Sequence, residues 1–125
     1  MIQILVADGN TGLRRAVRRL LDFEKDMMIV GEAENFPDTV RLTQELRPDV
    51  VVLDCNMQAS EAVPPSAIKQ FFETVTSRLL GISVFEEGEP GQLAKSFGAK
   101  MLLDKVTLTA KLVSAIRLAR ASCTP

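Results

Sequence analysis

Four polar side chains stand where apolar runs of the chain end. Asp8 follows residues 2–7, Asp54 follows Val50, Val51, Val52 and Leu53, Ser83 lies near the end of residues 79–84, and Lys105 comes after residues 101–103. Two acids, one hydroxyl and one cation suit phosphoryl chemistry. A carboxylate can attack a phosphoryl group and form an acyl phosphate when a metal and cations offset the charge gathering on the transferred oxygens. Carboxylate and carbonyl oxygens are also what a hard divalent cation takes. Taken singly, each residue has a plainer reading. An Asp at a strand end commonly serves a turn or cap, and Asp8 competes with Thr11 for the cap of the first helix. Lys105 alone reads as a solvated residue and Ser83 as a strand-end hydroxyl.

These residues need elements to bring them together. Residues 2–7 are almost continuously apolar, interrupted by Gln3, as expected of a parallel strand covered on both faces. From Thr11 the period becomes helical. Leu13, Val17, Leu20 and Leu21 share one face, and Arg14, Arg15, Arg18 and Arg19 fall mostly on the other, a solvated face or a docking site. Residues 28–30 predict a short second strand before Gly31. Phe36, Pro37 and Asp38 open a second helix with a weak apolar stripe of Phe36, Val40 and Leu46, closed at Arg47-Pro48 because the residue before proline leaves the helical region. The β-branched run at Val50, Val51 and Val52, with Leu53, predicts a third strand that delivers Asp54 at its carboxyl end.

Pro64-Pro65 marks the start of a third helix, where a missing N–H costs little, with Ile68, Phe71, Phe72 and Val75 on its buried face. A fourth strand is read at residues 79–84. A short helix follows from Pro90, carrying Leu93, Ala94 and Phe97 and capped by Gly98. A fifth strand is read at residues 101–103. The last helix, Leu108–Ala121, places Leu108, Leu112, Ala115, Ile116 and Ala119 on one face and Lys111, Arg117 and Arg120 away from it.

Five strands each followed by a helix predict an α/β fold with a parallel, doubly wound sheet. Such sheets bind ligands at the carboxyl ends of their strands, near the point where strand order reverses. Asp8, Asp54, Ser83 and Lys105 all belong to that rim.

At 125 residues the chain is expected to form one domain spanning 1–125. Lys and Arg number 15 against 16 Asp and Glu, a net charge of −1, so the overall balance calls for neither nucleic acid nor an anionic membrane. The sequence has no His, which excludes the usual Cys/His zinc arrangements, and Cys55 and Cys123 read as two reduced thiols. No charged leader with an apolar core is seen, and no apolar run approaches the roughly 18 residues of a membrane span. A cytoplasmic location is the expectation.

The stretches Val6-Ala7-Asp8-Gly9-Asn10, residues 50–57, Ile82-Ser83, and Gly98-Ala99 through Asp104-Lys105 resemble response-regulator receiver domains of two-component signalling. The stretches from Met28 to Ala33 and from Arg47 to Val50 resemble the receiver subfamily often fused to a helix-turn-helix output domain. The resemblance implies a flavodoxin-like (βα)5 fold with strand order 2-1-3-4-5. It implies Asp54 as phosphoacceptor, Lys105 pairing with the phosphoryl oxygens, and Ser83 hydrogen-bonding one of them. Mg²⁺ would be held by Asp8, Asp54 and the backbone carbonyl of Asn56. The partners implied are a sensor histidine kinase or phosphotransfer protein, and the face of the fourth helix, fifth strand and last helix is implied as an output or homodimer surface. Such a domain accepts phosphate and is not itself an enzyme.

The departures bear on mechanism. Receivers usually carry two adjacent acids after the first strand, and here the second, which usually touches the metal, is Gly9. Losing a unit negative charge about 4 Å from a cation forfeits on the order of 4 kcal/mol at an effective dielectric near 20, a gross ceiling that water partly offsets. Mg²⁺ binding, and phosphorylation with it, is expected to be weakened. Leu102 replaces the usual aromatic switch residue, Gln58 and Val106 replace prolines, and Phe85 is bulky for its place. Glu86, Glu87 and Glu89 read as loop acids, the alternative being that one of them reaches the metal position by a route the sequence does not show.

Three readings follow. The first is a phosphorylatable receiver. The second, motivated by Gly9 and Leu102, is a degenerate receiver that binds a protein partner without phosphorylation. The third is a flavin-type cofactor binder using Gly9-Asn10-Thr11-Gly12 as a phosphate cradle, disfavoured because the chain has no Trp or Tyr to stack on a flavin.

Overall fold

Every residue of Val50–Asp54 is buried, and this strand runs through the middle of a five-stranded parallel sheet in a computed structural model of the chain. The structure describes residues 1–54, 65–83, 101–104 and 108–121. In chain order the elements are β1 (Ile2–Ala7), α1 (Thr11–Asp22), β2 (Met27–Ala33), α2 (Phe36–Leu46), β3 (Val50–Asp54), α3 (Pro65–Glu73), β4 (Arg78–Ser83), β5 (Met101–Asp104) and α4 (Leu108–Ala121). The sheet order is β2-β1-β3-β4-β5, all parallel, as the sequence predicts. The short helix read from Pro90, with Phe85 and the acids Glu86, Glu87 and Glu89, lies outside the described residues.

The strand period of two sorts side chains into two cores. Ile4, Val6, Val50, Val52, Leu80 and Ile82 pack on one face against Val17 and Leu21 of α1 and Leu112, Ala115, Ile116 and Ala119 of α4. Leu5, Ala7, Val51, Leu53 and Leu79 pack on the other against Phe36 of α2 and Ile68 of α3, with Phe71 and Phe72 partly buried beside them. Burying a side chain the size of Val or Leu stabilises by about 1.5–3 kcal/mol, so the middle strand, covered on both sides, is the best anchored part of the rim.

β2 is longer than the residues 28–30 predicted. It continues through Gly31, Glu32 and Ala33, which pair with Leu5, Val6 and Ala7 after a register shift at Ile4/Leu5. A Cβ on Gly31 would meet Leu46 Cδ1 at 2.9 Å and Leu5 Cδ1 at 3.2 Å, so this glycine lets α2 approach the strand rather than ending it. The weak stripe of α2 has a related explanation. Beside Phe36 its buried positions are Thr39 and Thr43, whose hydroxyls donate to the carbonyls of Asn35 and Thr39 at 2.7 and 2.6 Å. Threonine thus fills an interior face while satisfying its own oxygen.

Arg47-Pro48 does close α2. Arg47 takes left-handed dihedrals (φ 47°, ψ 57°) and donates its N–H to Thr43 at 3.0 Å. The next residues align β3 with its neighbours. Asp49 Oδ2 accepts the N–H of Gln3 at 2.8 Å, the Asp49 carbonyl accepts the N–H of Arg78 at 2.9 Å, and Ser77 Oγ donates to the Pro48 carbonyl at 2.6 Å.

Candidate functional site

Strand order reverses between β1 and β3, since the chain leaves β1 to build β2 on one side and returns to build β3 on the other. Ligands bind at such a reversal in open α/β sheets. Ala7 pairs with Leu53 in the ladder, and Asp8 and Asp54 are the next residues beyond that pair, so the two acids stand at one level of the rim on adjacent strands. Both are buried, Asp8 at 1% and Asp54 at 8% exposure. Neighbouring parallel strands lie about 4.8 Å apart.

The other predicted site residues fall around this pair. Asp54 is opposite Ile82 in the ladder, and Ser83, one residue further along β4, is opposite Asp104, the last residue of β5. The backbone of Ser83 therefore reaches the same rim. Lys105 follows Asp104 and Asn56 follows Asp54 by two, and both lie outside the described residues.

The connection from β1 to α1 is closely held. The N–H of Asp8 donates to the Ala33 carbonyl at 3.0 Å, and the N–H of Asn10 donates to Asp8 Oδ1 at 2.7 Å. The first helix is capped by neither of the residues that compete for it in sequence. Asn10 is the N-cap, its side-chain oxygen accepting the N–H of Leu13 at 3.0 Å. Asn satisfies an otherwise orphaned helix donor as well as Asp does, so the cap does not call on Asp8. Gly9 is exposed and has no left-handed φ, and a Cβ there would lie 3.5 Å from the Glu34 carbonyl, an ordinary contact. Nothing in its backbone conformation demands glycine.

Arg14 departs from the solvated face expected of the α1 arginines. It is 7% exposed. Its Nη1 donates to the Asp8 carbonyl at 2.5 Å, its Nη2 reaches Thr11 Oγ1 at 3.2 Å and Glu34 Oε1 at 3.3 Å, and its Nε pairs with Glu32 Oε1 at 3.3 Å. Arg18 pairs with the other oxygen of Glu32. The sequence carries part of the signal, because residues 14, 17 and 21 share a helical stripe, but not the convergence of Glu32 of β2 and Glu34 beyond it on the guanidinium.

Features away from the rim are of another kind. A groove of about 410 Å³, lined in part by Arg47, Thr74 and Ser77, opens at the amino ends of β3 and β4. At that same end Arg117 holds the Asp26 carboxyl below its ordinary value through a side-chain hydrogen bond. Neither touches Asp8 or Asp54. Among the described residues no helix is long and apolar enough to cross a membrane, and no three acids or thiols cluster as a complete metal site.

Comparison with known proteins adds a separate line of observation. The family model of the response regulator receiver domain matches residues 4–117. The chain is 28% identical over 120 residues to the transcriptional regulatory protein LiaR of Bacillus subtilis, covering 95% of this chain and 56% of that protein. It is 35% identical over 74 residues to a protein-glutamate methylesterase/protein-glutamine glutaminase of Methanococcoides burtonii, covering 59% of this chain and 20% of that protein. The chain thus spans about half the length, or less, of these curated relatives. In fold it is similar to the response regulator domain of Thermotoga maritima CheB, with a TM-score of 0.82, 24% identity and 97% of each chain covered.

Proposed function

This chain belongs to the response regulator receiver domain family, and from that membership we propose that it accepts a phosphoryl group on Asp54 and passes the signal to a protein partner. The observation that carries the proposal is the placement of Asp54, buried at the carboxyl end of β3 beside Asp8 at the reversal of strand order. A carboxylate oxygen of Asp54 attacks the phosphorus of the donor. The bond from phosphorus to the donor's leaving atom breaks, the electron pair stays on that atom, and an acyl phosphate remains on Asp54. Lys105 pairs with the transferred oxygens, and the Ser83 hydroxyl hydrogen-bonds one of them.

Two buried carboxylates on adjacent strands are hard oxygen donors of the kind Mg²⁺ takes, so the residues present fit that ion in part. Asp8, Asp54 and the Asn56 carbonyl would hold it. When bound, it supplies positive charge to the oxygens of the phosphoryl group. Gly9 contributes no carboxylate, and the expected result is weakened Mg²⁺ binding and slowed phosphorylation. The donor is a sensor histidine kinase or phosphotransfer protein, and residues 1–125 act as one cytoplasmic domain that takes phosphate without being an enzyme. The homodimer surface, if used, is the face of β5, α4 and the helix read from Pro90.

One observation favours a second reading. Position 9 has room for a Cβ and an ordinary backbone, so folding does not account for the missing acid. That supports a degenerate receiver that binds its partner without phosphorylation. Intact mass after incubation with Mg²⁺ and acetyl phosphate separates the two, run on the parent, on Asp54→Ala and on Gly9→Asp. The expected result is one phosphoryl adduct on the parent that is lost with Asp54→Ala. An adduct on Gly9→Asp alone moves the conclusion to the binding module, and no adduct on either overturns the phosphoacceptor reading.

A further inference from the structure

We propose that Arg14 is a positioning residue for the rim, holding the Asp8–Gly9 peptide so that the Asp8 carboxylate stays beside Asp54. The inference rests on the receiver reading of that rim. A guanidinium taken out of water is costly unless it is paired and hydrogen-bonded, and Arg14, at 7% exposure, donates to three acceptors and forms an ion pair with a fourth, Glu32. Those acceptors come from separate pieces of chain: the end of β1 (Asp8 carbonyl), the first turn of α1 (Thr11), β2 (Glu32) and the connection into α2 (Glu34). One side chain therefore ties the connection that carries Asp8 to the end of β2 and the connection that follows it. A planar fork can do this where the point charge of lysine cannot.

The shortest of these ties, 2.5 Å, goes to the carbonyl of Asp8 itself. With the Asp8 N–H on Ala33 and Asp8 Oδ1 on the Asn10 N–H, the residue is held through its amide, its carbonyl and its side chain. The next residue is Gly9, which brings the largest backbone freedom of any residue to the peptide Arg14 grips. A receiver with a side chain at this position would restrain that peptide partly by itself. Here the restraint falls on Arg14, so the effect of losing Arg14 should depend on what occupies position 9.

The experiment measures Mn²⁺ affinity by calorimetry in the absence of any phosphodonor, and amide hydrogen exchange at Asn10, on the full chain. The variants are Arg14→Met and Arg14→Lys, each also combined with Gly9→Ala, with urea unfolding as the check of fold. Losing hydrogen bonds to a charged group is expected to weaken Mn²⁺ binding roughly tenfold in Arg14→Met. Arg14→Lys is expected to recover only part of that loss. Exchange at Asn10 should accelerate while Val52 keeps its protection, and both effects should shrink in the Gly9→Ala background. Unchanged Mn²⁺ affinity and unchanged Asn10 exchange in a folded variant would overturn the proposal, and Arg14→Lys decides it if Arg14→Met does not fold. A parent that neither binds Mn²⁺ nor takes phosphate counts against the phosphoacceptor reading and not against Arg14, and Asn10 exchange still decides whether Arg14 holds Asp8.

Discussion

A Cβ added to Gly9 would stand 3.5 Å from the carbonyl oxygen of Glu34, in ordinary van der Waals contact, and Gly9 has no left-handed φ. Restoring an acid there is therefore a change of charge and not of fold. We expect Gly9→Asp to leave unfolding free energy within about 1 kcal/mol of the parent, as for an exposed loop substitution, while divalent-cation affinity rises. Urea unfolding with and without Mg²⁺ checks both halves, and a large loss of stability without the ion would contradict the contact geometry.

Asn10 caps α1 through its side-chain oxygen, 3.0 Å from the Leu13 nitrogen. Asn10→Ala removes that acceptor and keeps the backbone N–H that bonds Asp8. The expected cost is about 1 kcal/mol of stability, read from the shift of the urea midpoint.

Gly31 lies under α2. Its missing Cβ would press on the end of Leu46, which is 37% exposed and able to turn away, and on Leu5, which is fully buried and is not. Gly31→Ala should be tolerated with a small loss, whereas Gly31→Val should cost about 1–3 kcal/mol from overpacking. Paired thermal melts of the two variants test the difference.

Arg47 is the sole non-glycine with positive φ among the described residues. A left-handed conformation costs a residue with a Cβ about 1–2 kcal/mol, part of which glycine returns as lost chain entropy. Arg47→Gly should raise stability by roughly 0.5 kcal/mol. Calorimetric melting measures it, and a fall in melting temperature would mean that the Arg47 side chain contributes more than its backbone costs.

Arg117 donates to Asp26 at 2.9 and 3.2 Å and to Glu24 at 2.7 Å, joining α4 to the segment before β2. The hydrogen bond from Arg117 holds the Asp26 carboxyl below its ordinary value of 3.8, and Arg117 itself is raised by Asp26 first and Glu24 second. A carboxylate depressed in the folded state stabilises above its unfolded value and loses that contribution as pH falls through the folded one. Arg117→Ala should therefore weaken the parent's acid-side loss of stability below 3.8 and leave its dependence near neutrality unchanged. The groups are exposed, so the effect is small and shrinks with added salt. Urea midpoints across that acid range, at low and high ionic strength, test it.

Local pattern was enough to read most of the architecture. The β-branched run at Val50 to Val52 announces a covered strand, the apolar run before Asp8 announces another, and the stripe of Leu112, Ala115, Ile116 and Ala119 gives the face α4 buries. These signals survive in the sequence because strand and helix impose their own periods on whichever face meets the core. Asp54 was legible for the same reason, being the polar residue at which a buried strand stops.

What the tertiary structure alone decided depends on which elements meet. That Asp8 and Asp54 stand at one level follows from the register Ala7↔Leu53, which neither strand's sequence contains by itself. That β2 runs past Gly31 follows from pairing with β1 and from α2 pressing close above it. Arg14, a charged residue on a stripe with Val17 and Leu21, is interior because Glu32, Glu34 and the Asp8 carbonyl converge on it from other segments. Burial of a charge is decided by the partners that offset its desolvation, and those partners are set by the fold and not by the residue's neighbours along the chain.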